Sequence, residues 1–203
     1  MENSVRKMEI LPDEEYYLLT SASLFAAKWS LEDKIQKQLE NSSLCIKDFL
    51  LSISNDWPTE ITDIPPKISR GQNYLGFPWM ILDHPRYFTK SDVFAIRTLC
   101  WWTQGISCTL QLSGKYLNHF YPLLQRKASE FSDSGYYICI NQDPWHHHFG
   151  DDNYQLLNSS ADPESLMKAA YEQGFIKLMS RHPVTDIFQL PAIAETFIKS
   201  VFS

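Results

Sequence analysis

The stretch from Val93 to Ser113, VFAIRTLCWWTQGISCTLQLS, decides how this chain folds. Two runs rich in β-formers, Val93 to Trp102 and Ile106 to Ser113, flank Thr103-Gln104-Gly105 and spell a hairpin. Loop length fixes which side chains meet. A three-residue loop with Gly105 left-handed sets Trp102 opposite Ile106, Cys100 opposite Cys108 and Ile96 opposite Leu112, making one apolar face. The other face pairs Trp101 with Ser107, Leu99 with Thr109 and Arg97 with Gln111. A two-residue loop would turn Arg97 toward the face of Leu110 and Leu112, which the cost of burying its charge disfavours.

Toward the N-terminus, Phe77 to Asp83 reads as the preceding strand, ended by His84-Pro85. Before it, Asn55 to Asn73 contains Pro58, Pro65, Pro66 and Gly71, which exclude a regular element. This is a connecting arm, anchored by Trp57, Ile61, Ile64 and Ile68. Further upstream, Pro12 followed by Asp13, Glu14 and Glu15 opens a helix. Leu18, Ala22, Phe25 and Trp29 recur at helical spacing and are expected to face the core. Ser30-Leu31-Glu32-Asp33 has the form of a capping box and marks a new helix or a kink. Leu31, Ile35 and Leu39 continue the stripe, and a third helix is expected over 44–53 with Cys45, Phe49 and Ile53 on one side.

Toward the C-terminus, Gly114 releases the chain into a helix within 118–132, with Phe120, Leu124, Ala128 and Phe131 in register and Pro122 confined to its first turn. Tyr136 to Asn141 is the next strand and Asn153 to Asn158 a short further one. Asp162-Pro163-Glu164 starts a helix that Gly174 stops. Phe175 to Arg181 is the last strand, closed by His182-Pro183. Pro191 opens a final helix burying Ala194, Phe197, Ile198 and Val201. The order predicts an α+β fold: a mainly antiparallel or mixed sheet with the 93–102/106–113 hairpin at its centre, packed against N-terminal, middle and C-terminal helices. Crossovers at 118–132 and 163–174 leave room for a parallel pair. One domain is expected over 1–203, comprising a helical segment 1–54, a Pro-rich arm 55–73 and an α+β core 74–203.

With 203 residues, 44% of them hydrophobic, the chain can bury a substantial core. A net charge of −6 argues against nucleic acid as partner, because phosphate binding relies on basic clusters and the densest here is Gln125-Arg126-Lys127. No run approaches the roughly 20 apolar residues of a membrane span, and the N-terminus lacks a signal-peptide stretch. Cys45, Cys100, Cys108 and Cys139 are widely spaced, as buried thiols in a reducing compartment would be. The expectation is a soluble cytoplasmic protein without nucleic-acid or membrane partners.

Chemistry concentrates in two places. In Asp143-Pro144-Trp145-His146-His147-His148, extended backbone puts His146 and His148 on one side, the H-x-H spacing of many metal sites. Together with Asp143 they are the candidate ligands for a divalent metal such as zinc or iron. Asp151, Asp152, His182 or His84 could complete the set. A polar loop using its imidazoles as backbone caps is the simpler alternative.

The second place is the hairpin face carrying Arg97, Trp101, Thr109 and Gln111, a candidate small-molecule pocket in which Arg97 needs an anion. Asp83 could supply that anion internally. Asp83 and His84 point to opposite faces and cannot act as a pair. No nucleophile elbow, phosphate loop or dinucleotide fingerprint is present. The leading expectation is a binding module with a polar–aromatic pocket near Arg97 and the 143–148 loop. Its rivals are a metal-dependent enzyme activating water at His146 and His148, and a homodimer or larger homo-oligomer working through its N-terminal helices.

Overall fold

The computed structural model describes residues 10–53, 57–158 and 162–203. Seven strands form one sheet: β1 (Lys67–Tyr74), β2 (Phe77–Phe88), β3 (Val93–Trp101), β4 (Gly105–Ser113), β5 (Tyr137–Cys139), β6 (Tyr154–Leu156) and β7 (Phe175–His182). Their order is β1-β2-β3-β4-β7-β5-β6, and every neighbouring pair is antiparallel. The fold is therefore α+β, and the room left for a parallel pair is not used. Seven helices accompany the sheet among the described residues: α1 (Asp13–Thr20), α2 (Ala22–Ser52), α3 (Thr59–Thr62), α4 (Gly114–Arg126), α5 (Ala128–Asp133), α6 (Pro163–Glu172) and α7 (Leu190–Phe202), the last preceded by a 3-10 turn.

The hairpin keeps its expected faces but not its expected register. Trp101 pairs with Gly105, Cys100 with Ile106, Arg97 with Thr109 and Ala95 with Gln111. The loop is Trp102-Thr103-Gln104, so Gly105 closes the ladder rather than sitting in the turn, and both Thr103 and Gly105 have positive φ. A slip of two residues preserves parity, because strand side chains alternate with period two. Phe94, Ile96, Cys100, Ile106, Cys108, Leu110 and Leu112 are all buried on one side. That side packs on α4 and α7: Phe94 lies 5.3 Å from Phe120 between ring centroids and 6.1 Å from Phe202. Ala194, Phe197, Ile198 and Val201 are buried on α7 as their spacing implies.

Other boundaries move for identifiable reasons. The arm, expected to hold no regular element, contains α3 and ends in edge strand β1, which needs only one neighbour and tolerates an irregularity between Gly71 and Tyr74. Asn55 lies outside the described residues. β2 does not stop at His84-Pro85: a register break between Asp83 and Arg86 absorbs the proline, and the strand continues to Phe88. α4 begins at Gly114, four residues early, because Asp92 Oδ1 accepts the Lys115 N–H at 2.8 Å and starts the helix there. Pro122 consequently lies inside α4 and not in its first turn. α6 starts and stops as expected, with Asp162 accepting the Glu164 N–H.

The chain divides into Met1–Lys34 and Ile35–Ser203. In the first unit no described residue is buried, and the expected core stripe is exposed at Leu18, Phe25 and Trp29. Apolar spacing names a face; it does not supply what covers it. α2 runs unbroken through Ser30-Leu31-Glu32-Asp33 and joins the expected second and third helices, since no Gly or Pro interrupts 22–52. In the second unit its Ile35, Leu39, Ile46, Phe49 and Leu50 are buried.

Phe94 meets aromatic rings from α4, α7 and the segment before α3, so Phe94→Ala should cost about 3–5 kcal/mol in urea unfolding. A loss below 1 kcal/mol would show that the core lies elsewhere.

Candidate functional site

The opposite face of the sheet carries a buried polar patch beside apolar clusters. Asp83, Ser107, Thr109, Gln111 and Lys177 are buried, and Arg97 is nearly so. Strand alternation brings them together: Asp83 pairs with Arg97, Arg97 with Thr109, and Gln111 with Lys177. Arg97 finds its anion in Asp83. Its Nε donates to Oδ1 at 2.6 Å and its Nη2 to Oδ2 at 3.3 Å, a two-pronged pair. As expected, His84 turns to the other side, where Nδ1 lies 3.0 Å from the Ser43 hydroxyl; burial pushes its pKa down to about 4.

Segment 140–153, between β5 and β6, lies over this face with its backbone turned inward. Asx-type bonds shape it: Asn141 Oδ1 accepts the Asp143 N–H, and Asp143 Oδ1 accepts the Trp145 N–H, each at 2.9 Å. Three carbonyls then point in. Lys177 Nζ donates to the Pro144 oxygen at 3.0 Å and also to the His146 oxygen. The fully buried Asn153 donates through Nδ2 to the His146 oxygen at 3.3 Å and the His148 oxygen at 2.8 Å. Trp145 lies over Arg97, 5.9 Å from its guanidinium carbon to the ring centre, and Phe149 packs on Trp101. Trp101 itself is buried, its Nε1 donating to the Tyr74 carbonyl at 3.2 Å.

Of the three histidines, His147 is the one turned inward. Its backbone N–H donates to the Tyr74 hydroxyl at 2.9 Å. Its ring spans two side-chain nitrogens: Nε2 is 2.9 Å from Arg97 Nη1, and Nδ1 is 3.2 Å from Lys177 Nζ. Burial first, then the charges of Lys177 and Arg97, push its pKa down to about 2. Burial also brings Lys177 down to about 7, with Arg97 adding to the effect. Tyr154, whose ring lies 5.4 Å from Lys177 Nζ, is raised well above the ordinary value by burial while it shares a hydrogen bond with Thr109.

His146 and His148 sit side by side, 5.6 Å between ring centroids, but each is taken by its own carboxylate. His146 Nε2 is 3.5 Å from Asp143 Oδ2, and His148 Nε2 is 3.0 Å from Asp152 Oδ2. Among the described residues no group of three His, Cys, Asp or Glu side chains is placed to hold a metal ion. Of the other candidates, Arg97 and Thr109 are cross-strand partners, Gln111 faces Lys177 across the next pair, and Trp101 belongs to a separate apolar cluster with Ile81 and Leu99. The sequence reading missed Lys177, His147, Tyr154 and Asn153. Lys177 had a signal: it breaks the run Phe-Ile-Lys-Leu-Met and falls on the parity of Arg97 and Gln111 once the strands are paired.

Compared with protein-family models, curated proteins and solved structures, the chain has no significant match. No described helix is long and apolar enough to cross a membrane.

The depressed Lys177 pKa makes stability depend on pH. Unfolded, the amine takes a proton below its ordinary value of 10.5; folded, it does so only below about 7. Between those values the unfolded chain holds the extra proton, so unfolding becomes harder as pH rises through the window. The difference in unfolding free energy between wild type and Lys177→Met should therefore grow by on the order of 4 kcal/mol from pH 7 to pH 10. A flat difference would mean that Lys177 titrates normally.

Proposed function

We propose that this protein binds a compact anionic small molecule on the Arg97–Lys177 face, beneath segment 140–153. One observation carries the reading: the imidazole of His147 is held between Arg97 Nη1 and Lys177 Nζ, two nitrogens spaced for a small anion once the amine is charged. A carboxylate or phosphate could replace the two ring nitrogens and leave the Arg97–Asp83 pair intact. Thr109 and Tyr154 would contribute hydroxyls at the edge. The segment would act as a lid whose own backbone carbonyls and imidazole fill the site when no ligand is present. Cytoplasmic residence belongs to the same reading, because all four cysteines are free thiols, as a reducing compartment keeps them.

An anion would favour a charged Lys177, so binding should take up a proton. Calorimetry with acetate and with inorganic phosphate, in buffers of different ionisation heat, should show uptake of about one proton near pH 8. Affinity should strengthen as pH falls from 9 to 7, and Arg97→Gln should weaken it at least about tenfold. Binding without proton uptake, or unchanged in Arg97→Gln, would remove the reading, as would no binding by either anion.

A second reading has its own support. Tyr16, Tyr17, Leu18, Leu19, Leu24, Phe25 and Trp29 are all exposed on the first unit, which buries no described residue. A helix pair without a core of its own is marginal in water, so a second copy of this chain, burying like against like, is the proposed cover. Equilibrium sedimentation should give a dimer for the full chain and a monomer for the Leu18→Ser, Phe25→Ser, Trp29→Ser variant. A wild-type monomer at 100 times the working concentration would exclude this reading.

A further inference from the structure

The contacts of His147 fix the charge of its neighbour. Arg97 offers only N–H donors, so the Nε2 atom 2.9 Å from Nη1 has to present its lone pair. A neutral imidazole then carries its proton on Nδ1, and that N–H faces Lys177 Nζ 3.2 Å away. An ammonium at Nζ would set N–H against N–H. An imidazolium would do the same at both ring nitrogens, and an imidazolate is out of reach near neutral pH. A neutral amine closes every contact. Its two N–H groups go to the Pro144 and His146 carbonyls, and its lone pair accepts from His147. The titration behaviour of the two groups agrees: burial depresses both.

Lys127 is the instructive contrast. It too is buried, but its Nζ lies 3.6 Å from a Glu130 carboxylate oxygen and 2.8 Å from the Ser203 carbonyl, so a carboxylate is at hand. Around Lys177 Nζ the hydrogen-bond partners are two carbonyls and an imidazole, none of them a carboxylate.

We infer that Lys177 is a nucleophilic amine held ready in its neutral form, and that the ligand class of its face is small oxo acids, captured as an imine. Access and the role of Arg97 rest on the binding reading above: the segment must lift, and the Nη1 group released by His147 takes the carboxylate. Until the amine takes up the proton that a bound anion favours, the lone pair that His147 covers is free. It attacks the carbonyl carbon and a C–N bond forms. Both amine hydrogens leave with the carbonyl oxygen as one water molecule, giving a neutral imine. Uptake of one proton gives an iminium beside the bound carboxylate. Gln111 supports this role. Its Oε1 is buried without a hydrogen-bond partner among the described residues, and the residue is cross-strand from Lys177, where an acceptor can receive the iminium N–H.

The test is reductive trapping. Full-length protein is incubated with pyruvate or glyoxylate and cyanoborohydride at pH 7.5, and the modified lysine is located by peptide mass spectrometry. The expected result is one dominant adduct, on Lys177, formed about tenfold more slowly in Arg97→Gln. In parallel, the 15N shift of Lys177 Nζ should report a neutral amine at pH 8 in the unmodified protein. Adducts spread over exposed lysines with Lys177 unmodified, in protein that binds acetate with proton uptake, would overturn imine capture and leave anion binding standing. A charged Lys177 at pH 8 would overturn the amine assignment. Neither acetate binding nor an adduct would bring down both.

Discussion

An amine withdrawn from water has to find all of its partners inside the protein, and the placement of Lys177 imposes that demand on everything around it. Flanked by Ile176 and Leu178 in the strand, its side chain shares a face with Gln111, and neither neighbour offers a carboxylate. The demand is met from above. Segment 140–153 turns two peptide carbonyls and an imidazole toward the amine, the reverse of a surface loop, which directs its polar groups to water. Asn153 repeats the device a few ångströms away, and Tyr74 reaches up from the far edge of the sheet to the His147 backbone. The segment has the conformation it has because a lysine needs it.

The two faces of one sheet thus do different physical work. The face against α4 and α7 is an aliphatic and aromatic layer whose burial favours folding. The other face holds Asp83, Arg97, Thr109, Gln111 and Lys177 out of solvent at a cost in free energy. The apolar layer offsets that cost. Buried polar groups kept at such expense are where binding and chemistry concentrate in proteins generally, which is why the reading of this chain settles on that face.

What could be read from the sequence was parity and what could not was the third dimension. Alternation alone put Arg97, Thr109 and Gln111 on one side and Ile96, Cys100 and Cys108 on the other, and a two-residue slip in register left that result untouched. Asp83 as the partner of Arg97 was also within reach, since both sit on strands that a short connection makes neighbours. Lys177 was not, because its strand is separated from β4 by some sixty residues and nothing local announces which strand it joins. The histidines show the same limit. Their alternation was legible, yet the direction of the whole triplet depends on Lys177 and Arg97, so the inward ring is His147 and not the pair His146 and His148. In the first unit the stripe through Phe25 and Trp29, expected to face the core, is exposed, because helical spacing says nothing about what covers it.

The strand order carries a consequence for how the protein is made. β5 and β6 follow β4 in the chain, but β7 lies between them and β4 in the sheet. On the ribosome, the hairpin ending at Ser113 emerges first and its outer edge stays unpaired while the next sixty residues are synthesised. Segment 140–153 emerges during that interval with its contacts to Tyr74, Arg97 and Trp101 in reach but its anchor Lys177 not yet added. The last strand is therefore the seam that joins the two parts of the sheet. A nascent chain halted before Phe175 would leave the β4 edge without the strand that closes the sheet.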